Sequence, residues 1–161
     1  MTTFAGLPAH VLLVHAIVVL APLTALLAIL CALWPAARQR LVWLVVALAA
    51  ITLVLTPVTT DAGEWLAHRI GRSPQLHQHT ELGDTMIYVA VALLVASVLL
   101  AAIHLRESRG HAIKPVMAWT VATVVIVISA ATVAQVYRIG DSGARASWGD
   151  RVGNSTSAGA P

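Results

Sequence analysis

Charge is what this chain has least of. Asp, Glu, Lys and Arg make up 11% of its 161 residues, against about 25% in a soluble domain. Lysine occurs once, as Lys114, and no run of Lys or Arg suggests a nucleic-acid partner, despite a sequence pI near 9.8. Cysteine also occurs once, as Cys31, so no intramolecular disulfide can form; in its apolar run this residue reads as a small packing side chain. Aromatic residues are only 5% of the chain. There is no Gly-rich phosphate loop, no paired-cysteine motif, no His-Glu-x-x-His and no Gly-x-Ser-x-Gly, and nothing marks an enzyme. What is present in abundance is Ala, Val and Leu: hydrophobic residues reach 58% and mean hydropathy is +0.83. Disordered chains and ordinary soluble enzymes do not have this composition; helical membrane proteins do.

Four runs are long enough to cross a hydrocarbon core of about 30 Å. They cover about 9–34, 41–60, 85–104 and 115–137, and none contains Asp, Glu, Lys or Arg beyond its ends. The first lacks the basic leading region of a signal peptide and exceeds its apolar length. Backbone groups cannot go unpaired in lipid, so each run is predicted to be a helix. The expected fold is all-α, an antiparallel four-helix integral membrane bundle in a single domain over 1–148. The polar residues 149–161 are expected to be disordered. Pro35 to Arg40 reads as a turn. Arg38, Arg40, Arg106, Arg109 and Lys114 fall in the short connections. The positive-inside rule then puts both termini and the middle loop on the outer side of a bacterial cytoplasmic membrane. No internal repeat is legible. Glycine and alanine faces permit a homo-oligomer, and Thr24, Thr52, Thr56, Ser97, Ser129 and Thr132 are of the kind that stitch helices together in lipid.

The polar chemistry concentrates in the middle connection. Ser73-Pro74 reads as a helix start, and Gly71 as the end of the element before it. A third helix is then predicted to run from near Pro74, beyond the bilayer, to His104. On it His77, Glu81, Asp84 and Tyr88 share a face, with His79 directed elsewhere. Before it, Asp61, Glu64 and His68 form a second stripe if the second helix overshoots. Spacing of i, i+4 allows two side chains to share a metal ion or to form a surface pair. His10 and His15 lie in the first span, where an ionisable group is a functional candidate. Five of the seven histidines, His10, His15, His68, His77 and His79, thus belong to one end. Asp141, in an expected tight turn between Gly140 and Gly143, is placed to reach them, and Trp148 reads as an interfacial anchor.

The opening Phe4-Ala5-Gly6-Leu7-Pro8-Ala9-His10, with Leu12-Leu13-Val14-His15, resembles the start of a family of small bacterial membrane proteins, domain of unknown function 2231. Thr60-Asp61-Ala62-Gly63, His79 and Gly140-Asp141-Ser142-Gly143-Ala144-Arg145 fit the same pattern, so the resemblance spans roughly 4–148. It implies four membrane helices with no assigned activity. Fusion of some members to redox domains implies a redox setting by analogy. Family members often carry His where Asp141 stands, which removes one candidate ligand from this chain.

Two functions from different classes follow. One is a membrane redox or metal module with an outer-face histidine cluster. Haem b would be ligated by His15 with His79 or His77; zinc or copper would be held by His10, His77 and Glu81, with His68, Glu64 and Asp61 as further candidates. The other is a structural or accessory subunit, partnering a redox or other membrane protein, whose histidines form a polar network.

Overall fold

A computed structural model describes the backbone of residues 3–4, 7–70 and 74–157, and the side chains of 10–69, 74 and 76–147. After a minimal antiparallel ladder of β1 (Thr3–Phe4) and β2 (Leu7–Pro8) come α1 (Ala9–Leu33), α2 (Pro35–Ile70), α3 (Pro74–Asp84), α4 (Met86–Ser108) and α5 (Pro115–Ser157). They form four rods long and apolar enough to cross a membrane, α3 and α4 being two pieces of one rod. The fold is the all-α membrane bundle that composition predicts.

Four boundaries differ from the sequence reading, each for a local reason. Pro35 to Arg40 is the first turn of α2, because the reversal is compressed into Trp34. Its N–H closes the last bond of α1 at Leu30 (2.9 Å), and its carbonyl accepts the first bond of α2 from Arg38 (3.0 Å); Pro35 then needs no N–H partner. At its far end α2 overshoots the apolar run to Ile70, the alternative that aligns Asp61, Glu64 and His68.

The third rod is broken at Thr85. The Thr85 hydroxyl donates to the Leu82 carbonyl (2.7 Å), and Gln135 of α5 donates to that carbonyl (3.3 Å) and to Thr85 Oγ1 (2.6 Å). A side chain thus takes the place of a helical N–H. Lastly, α5 continues through Gly140–Gly143, where a tight turn is expected, and on to Ser157. No proline interrupts it after Pro115. Ser73 and Gly71 lie outside the described residues, as do the side chain of Trp148 and residues 158–161.

The helices form a ring in which α1 packs on α2 and α5, and α4 packs on the same two. The buried positions reveal an internal repeat. On α2 they are Val42, Val45, Ala49, Thr52 and Thr56; on α5 they are Ala122, Val125, Ser129, Thr132 and Val136. Each pair stands at one constant separation in sequence. On α1 and α4 the matched positions are Ile17, Ala21, Thr24, Ala28 and Cys31 with Met86, Ala90, Leu93, Ser97 and Leu100. The chain is thus two helical hairpins, α1–α2 and α3/α4–α5, related by an approximate two-fold axis along the bundle, the parallel-repeat arrangement of some transporters. The repeat escapes the eye in sequence because spacing, not residue identity, carries it.

The interior is small and the exterior large. Val19, Leu26, Val54 and Val127 are all more than 60% exposed, as expected of side chains facing lipid. Five of the buried hydroxyls bond within their own helix rather than across to a neighbour. Thr24, Thr52, Thr56, Ser97 and Thr132 each donate to a carbonyl four residues earlier on their own helix (2.7–2.8 Å). Ser129 is buried with its Oγ unpartnered.

A polar contact made by Arg38 joins the repeats. Arg38 Nη2 and Nε donate to Glu107 at 2.7 and 3.2 Å, while Nη1 donates to the Cys31 carbonyl at 3.0 Å. The guanidinium therefore satisfies a C-terminal carbonyl of α1 and ties α2 to α4. Glu107 is held in place by the Schellman turn that ends α4: Gly110 (φ 75°) donates to Glu107 (3.0 Å) and His111 donates to Arg106 (3.0 Å). The Arg38 side chain is 7% exposed and that of Glu107 32%. Removing one partner of a buried pair strands the other charge, at about 3–5 kcal/mol. Arg38→Ala is expected to cost about 3 kcal/mol, the lower end because Glu107 keeps some access to water. Glu107→Gln can still accept hydrogen bonds but leaves the more buried Arg38 charge uncompensated, so it should also cost about 3 kcal/mol. Thermal unfolding in detergent measures both.

Candidate functional site

The two buried seams on α2 and α5 run in steps of three and four, and both end on a glycine. Beyond Thr56 the α2 seam passes Thr59 to Gly63. Beyond Val136 the α5 seam passes Ile139 to Gly143. In each case a histidine from the other helix of the same repeat occupies the space where a side chain would stand. A Cβ built on Gly63 would lie 2.8 Å from His10 Cε1, and one built on Gly143 would lie 3.0 Å from His79 Cε1. The absent Cβ atoms let both rings sit against helix backbone.

Each ring is then pinned through the same nitrogen. His10 Nδ1 donates to the Thr59 carbonyl at 2.9 Å, one turn before Gly63. A carbonyl can only accept, so Nδ1 carries the proton. His79 Nδ1 donates to Ser142 Oγ at 3.0 Å, and the Ser142 hydroxyl donates to the Ile139 carbonyl at 2.9 Å. With its own proton committed, Ser142 Oγ can only accept from His79. In its neutral form each imidazole then carries its lone pair on Nε2, a nitrogen that metals and haem iron can bind.

His10 and His79 line one cavity of about 110 Å³ between α1, α2, α3 and α5. Its walls include Thr56, Thr59, Ile17 and Met86, and the exposed carboxylates Glu64 and Asp84 stand at its rim. Two of the five candidate carboxylates thus line the same cavity as the imidazoles.

The other candidates are elsewhere. His15 is exposed, its Nδ1 donating to the Val11 carbonyl of its own helix (2.6 Å). His77 and Glu81 form an exposed i, i+4 pair at 3.3 Å, a surface contact worth little. Asp61, His68 and Tyr88 are exposed and do not line the cavity. Asp141 turns to Arg145 (3.0 Å) while its neighbour Ser142 meets the histidine. Among the described residues no three His, Cys, Asp or Glu side chains form a metal-holding group, so the set of His10, His77 and Glu81 is not brought together.

His104, at the far end of the bundle, meets Trp43 edge-on at 6.4 Å. The sequence reading missed Gly63, Gly143, Thr59, Ser142 and Met86. Asp61-Ala62-Gly63 and Asp141-Ser142-Gly143, at matching places in the repeats, are the signal that could have found the glycines.

The architecture and site define a small polytopic α-helical membrane protein with a duplicated histidine-on-glycine contact. The chain belongs to the family described as predicted membrane protein (DUF2231), whose model matches residues 6–156. Comparison with curated proteins and with solved structures finds no match.

The close approach sets a clear expectation. Gly63→Ala and Gly143→Ala each force an imidazole off its backbone contact, and overpacking of this kind costs about 1–3 kcal/mol. Nothing lies within 4 Å of a Cβ at Gly140, so Gly140→Ala should stabilise the helix by about 0.5–1 kcal/mol. Unfolding measurements give the energies. Nitrogen-15 shifts of the histidine rings should show loss of the Nδ1–H form at one histidine only in each of the first two variants.

Proposed function

We propose that this protein is a membrane metal-binding module, in which Nε2 of His10 and Nε2 of His79 hold one transition-metal ion between the two repeats. The observation that carries this reading is the shared pinning of both rings through Nδ1. Such a second-shell bond fixes the tautomer and raises the basicity of the other nitrogen, as in known metal sites. The carboxylates Glu64 and Asp84 at the rim favour a cation. The cavity, at about 110 Å³, is below the roughly 300–1,000 Å³ of sites that enclose drug-sized ligands, which argues for an ion over haem b. Basic residues in both connections at the opposite end, Arg38, Arg40, Arg106, Arg109 and Lys114, support placing the cavity on the outer side of a bacterial cytoplasmic membrane.

A second reading is favoured by the same hydrogen bonds. They join α1 to α2 and α3 to α5, as they would in an accessory subunit whose histidines serve only to close the bundle. Titration of chelator-stripped protein in detergent with Ni(II) and Cu(I) separates the two. The metal reading expects one ion per chain. His10→Ala and His79→Ala should each weaken binding by more than the roughly 10–100-fold typical of losing a supporting residue, whereas His15→Ala and His77→Ala should change nothing. A protein that binds no ion, yet unfolds more easily as His10→Ala or His79→Ala, would overturn the metal reading in favour of the structural one.

A further inference from the structure

Carboxylates are shared unevenly between the two ends of the bundle. The end with the reversal at Trp34 and the α4–α5 connection holds five cations, Arg38, Arg40, Arg106, Arg109 and Lys114, and one carboxylate, Glu107. The Arg38–Glu107 pair sets the two connections side by side and uses up that carboxylate. Arg40, Arg106, Arg109 and Lys114 are exposed and meet no carboxylate among the described residues. At the cavity end, by contrast, Arg69, Arg138 and Arg145 stand among Asp61, Glu64, Glu81, Asp84 and Asp141, and Arg145 is paired with Asp141.

Apolar side chains are exposed in the same layer as the unpaired cations. Trp34, Trp43 and Trp119 are each more than half exposed, as are Leu33 and Val116. Trp43 follows Arg40 by three residues, so the two share a face of α2, with the indole nearer the middle of the bundle. His104 of α4 meets that indole edge-on at 6.4 Å. Excess positive charge thus sits directly above indole and aliphatic groups.

We propose that this end docks phospholipids with a net negative headgroup. Their phosphates lie on Arg40, Arg106, Arg109 and Lys114, and the indoles of Trp43 and Trp119 lie at the level of the ester groups. The inference is independent of the metal reading above. A soluble anion would meet the charges and leave the indoles in water, whereas a lipid supplies anion and chain together. A zwitterionic lipid brings a cation with each phosphate, so it does not neutralise the unpaired charges.

The test uses the full chain in detergent micelles doped with phosphatidylglycerol or with phosphatidylcholine of the same chains. Native mass spectrometry from an equal mixture counts the lipids retained, and thermal unfolding is followed with each lipid. The parent should retain phosphatidylglycerol at least about tenfold over phosphatidylcholine and unfold at a higher temperature with it, and raised salt should shrink both differences. The combined variant R40Q/R106Q/R109Q/K114Q should lose the preference while unfolding in phosphatidylcholine as the parent does. Arg138→Gln, at the other end, should keep it. Arg40→Gln and Lys114→Gln alone, each weakening the preference by up to about fivefold, decide the matter if the combined variant does not fold. Equal retention of the two lipids by the parent, or a preference that survives these substitutions, overturns the inference. So does stabilisation by soluble glycerol phosphate equal to that by phosphatidylglycerol, which would mark the surface as a site for a free anion.

Discussion

Inside a bilayer, oil does not separate from water, so nothing squeezes these helices together from outside. They stay together only if their backbones come close enough for dispersion contacts to accumulate. The whole structure follows from that constraint. Ala21, Ala25, Ala28, Ala49, Ala90 and Ala96 line the inside with almost no exposed surface. Ser and Thr join them because a hydroxyl satisfied by its own helix is, for packing, only a small side chain. Many large aliphatics, Val19, Leu26, Val54 and Val127 among them, are turned outward, where lipid accepts them. Gly63 and Gly143 are the limit of the same series: the seam narrows until a neighbouring ring rests on backbone.

The two ends of the bundle spend this closeness differently. At one, Arg38 reaches across from α2 to Glu107 of α4 and back to the Cys31 carbonyl of α1. Its hydrogen bonds are used inward, and the result is a closed end. At the other, each imidazole uses one nitrogen on its own repeat and keeps the second unprotonated. Polar capacity is left over, beside a cavity rather than inside a lock. The Arg38 end is not fully satisfied either, since His104 Nδ1 is buried there without a partner.

Much of this was legible in the chain. Long uncharged runs fixed four rods because lipid permits little else. The i, i+4 order of His77 and Glu81 does produce a pair, and α2 does extend far enough to carry Glu64 to the rim. What could not be read was contact between distant segments. His10 meets Thr59, and His79 meets Ser142, across separations of 49 and 63 residues, and no local periodicity reports that. Sequence depth alone offered His15 for haem and His10 for an ion, whereas in the structure His10 is on the face of α1 that meets α2. His15 lies one residue past a full turn from His10 and so looks outward. The break at Thr85 was hidden for a different reason: it needs Gln135, from another helix, to satisfy the Leu82 carbonyl.

The duplication explains why the cavity lies where it does. Two like hairpins placed about an axis bring equivalent residues to opposite sides of it, so one histidine on each repeat suffices to make a facing pair. A site on the axis inherits its symmetry unless a substitution breaks it. The repeats differ at most matched positions, and near the two histidines the differences include Ala62 against Ser142, Glu64 against Ala144 and Ile17 against Met86. The first changes how a ring is held. The second places a carboxylate on one side of the rim only. The third puts sulfur opposite hydrocarbon. Differences of the same kind run the length of the bundle, as at Val42 against Ala122, Thr24 against Leu93 and Cys31 against Leu100, so the duplication constrains where side chains face more than which side chains they are.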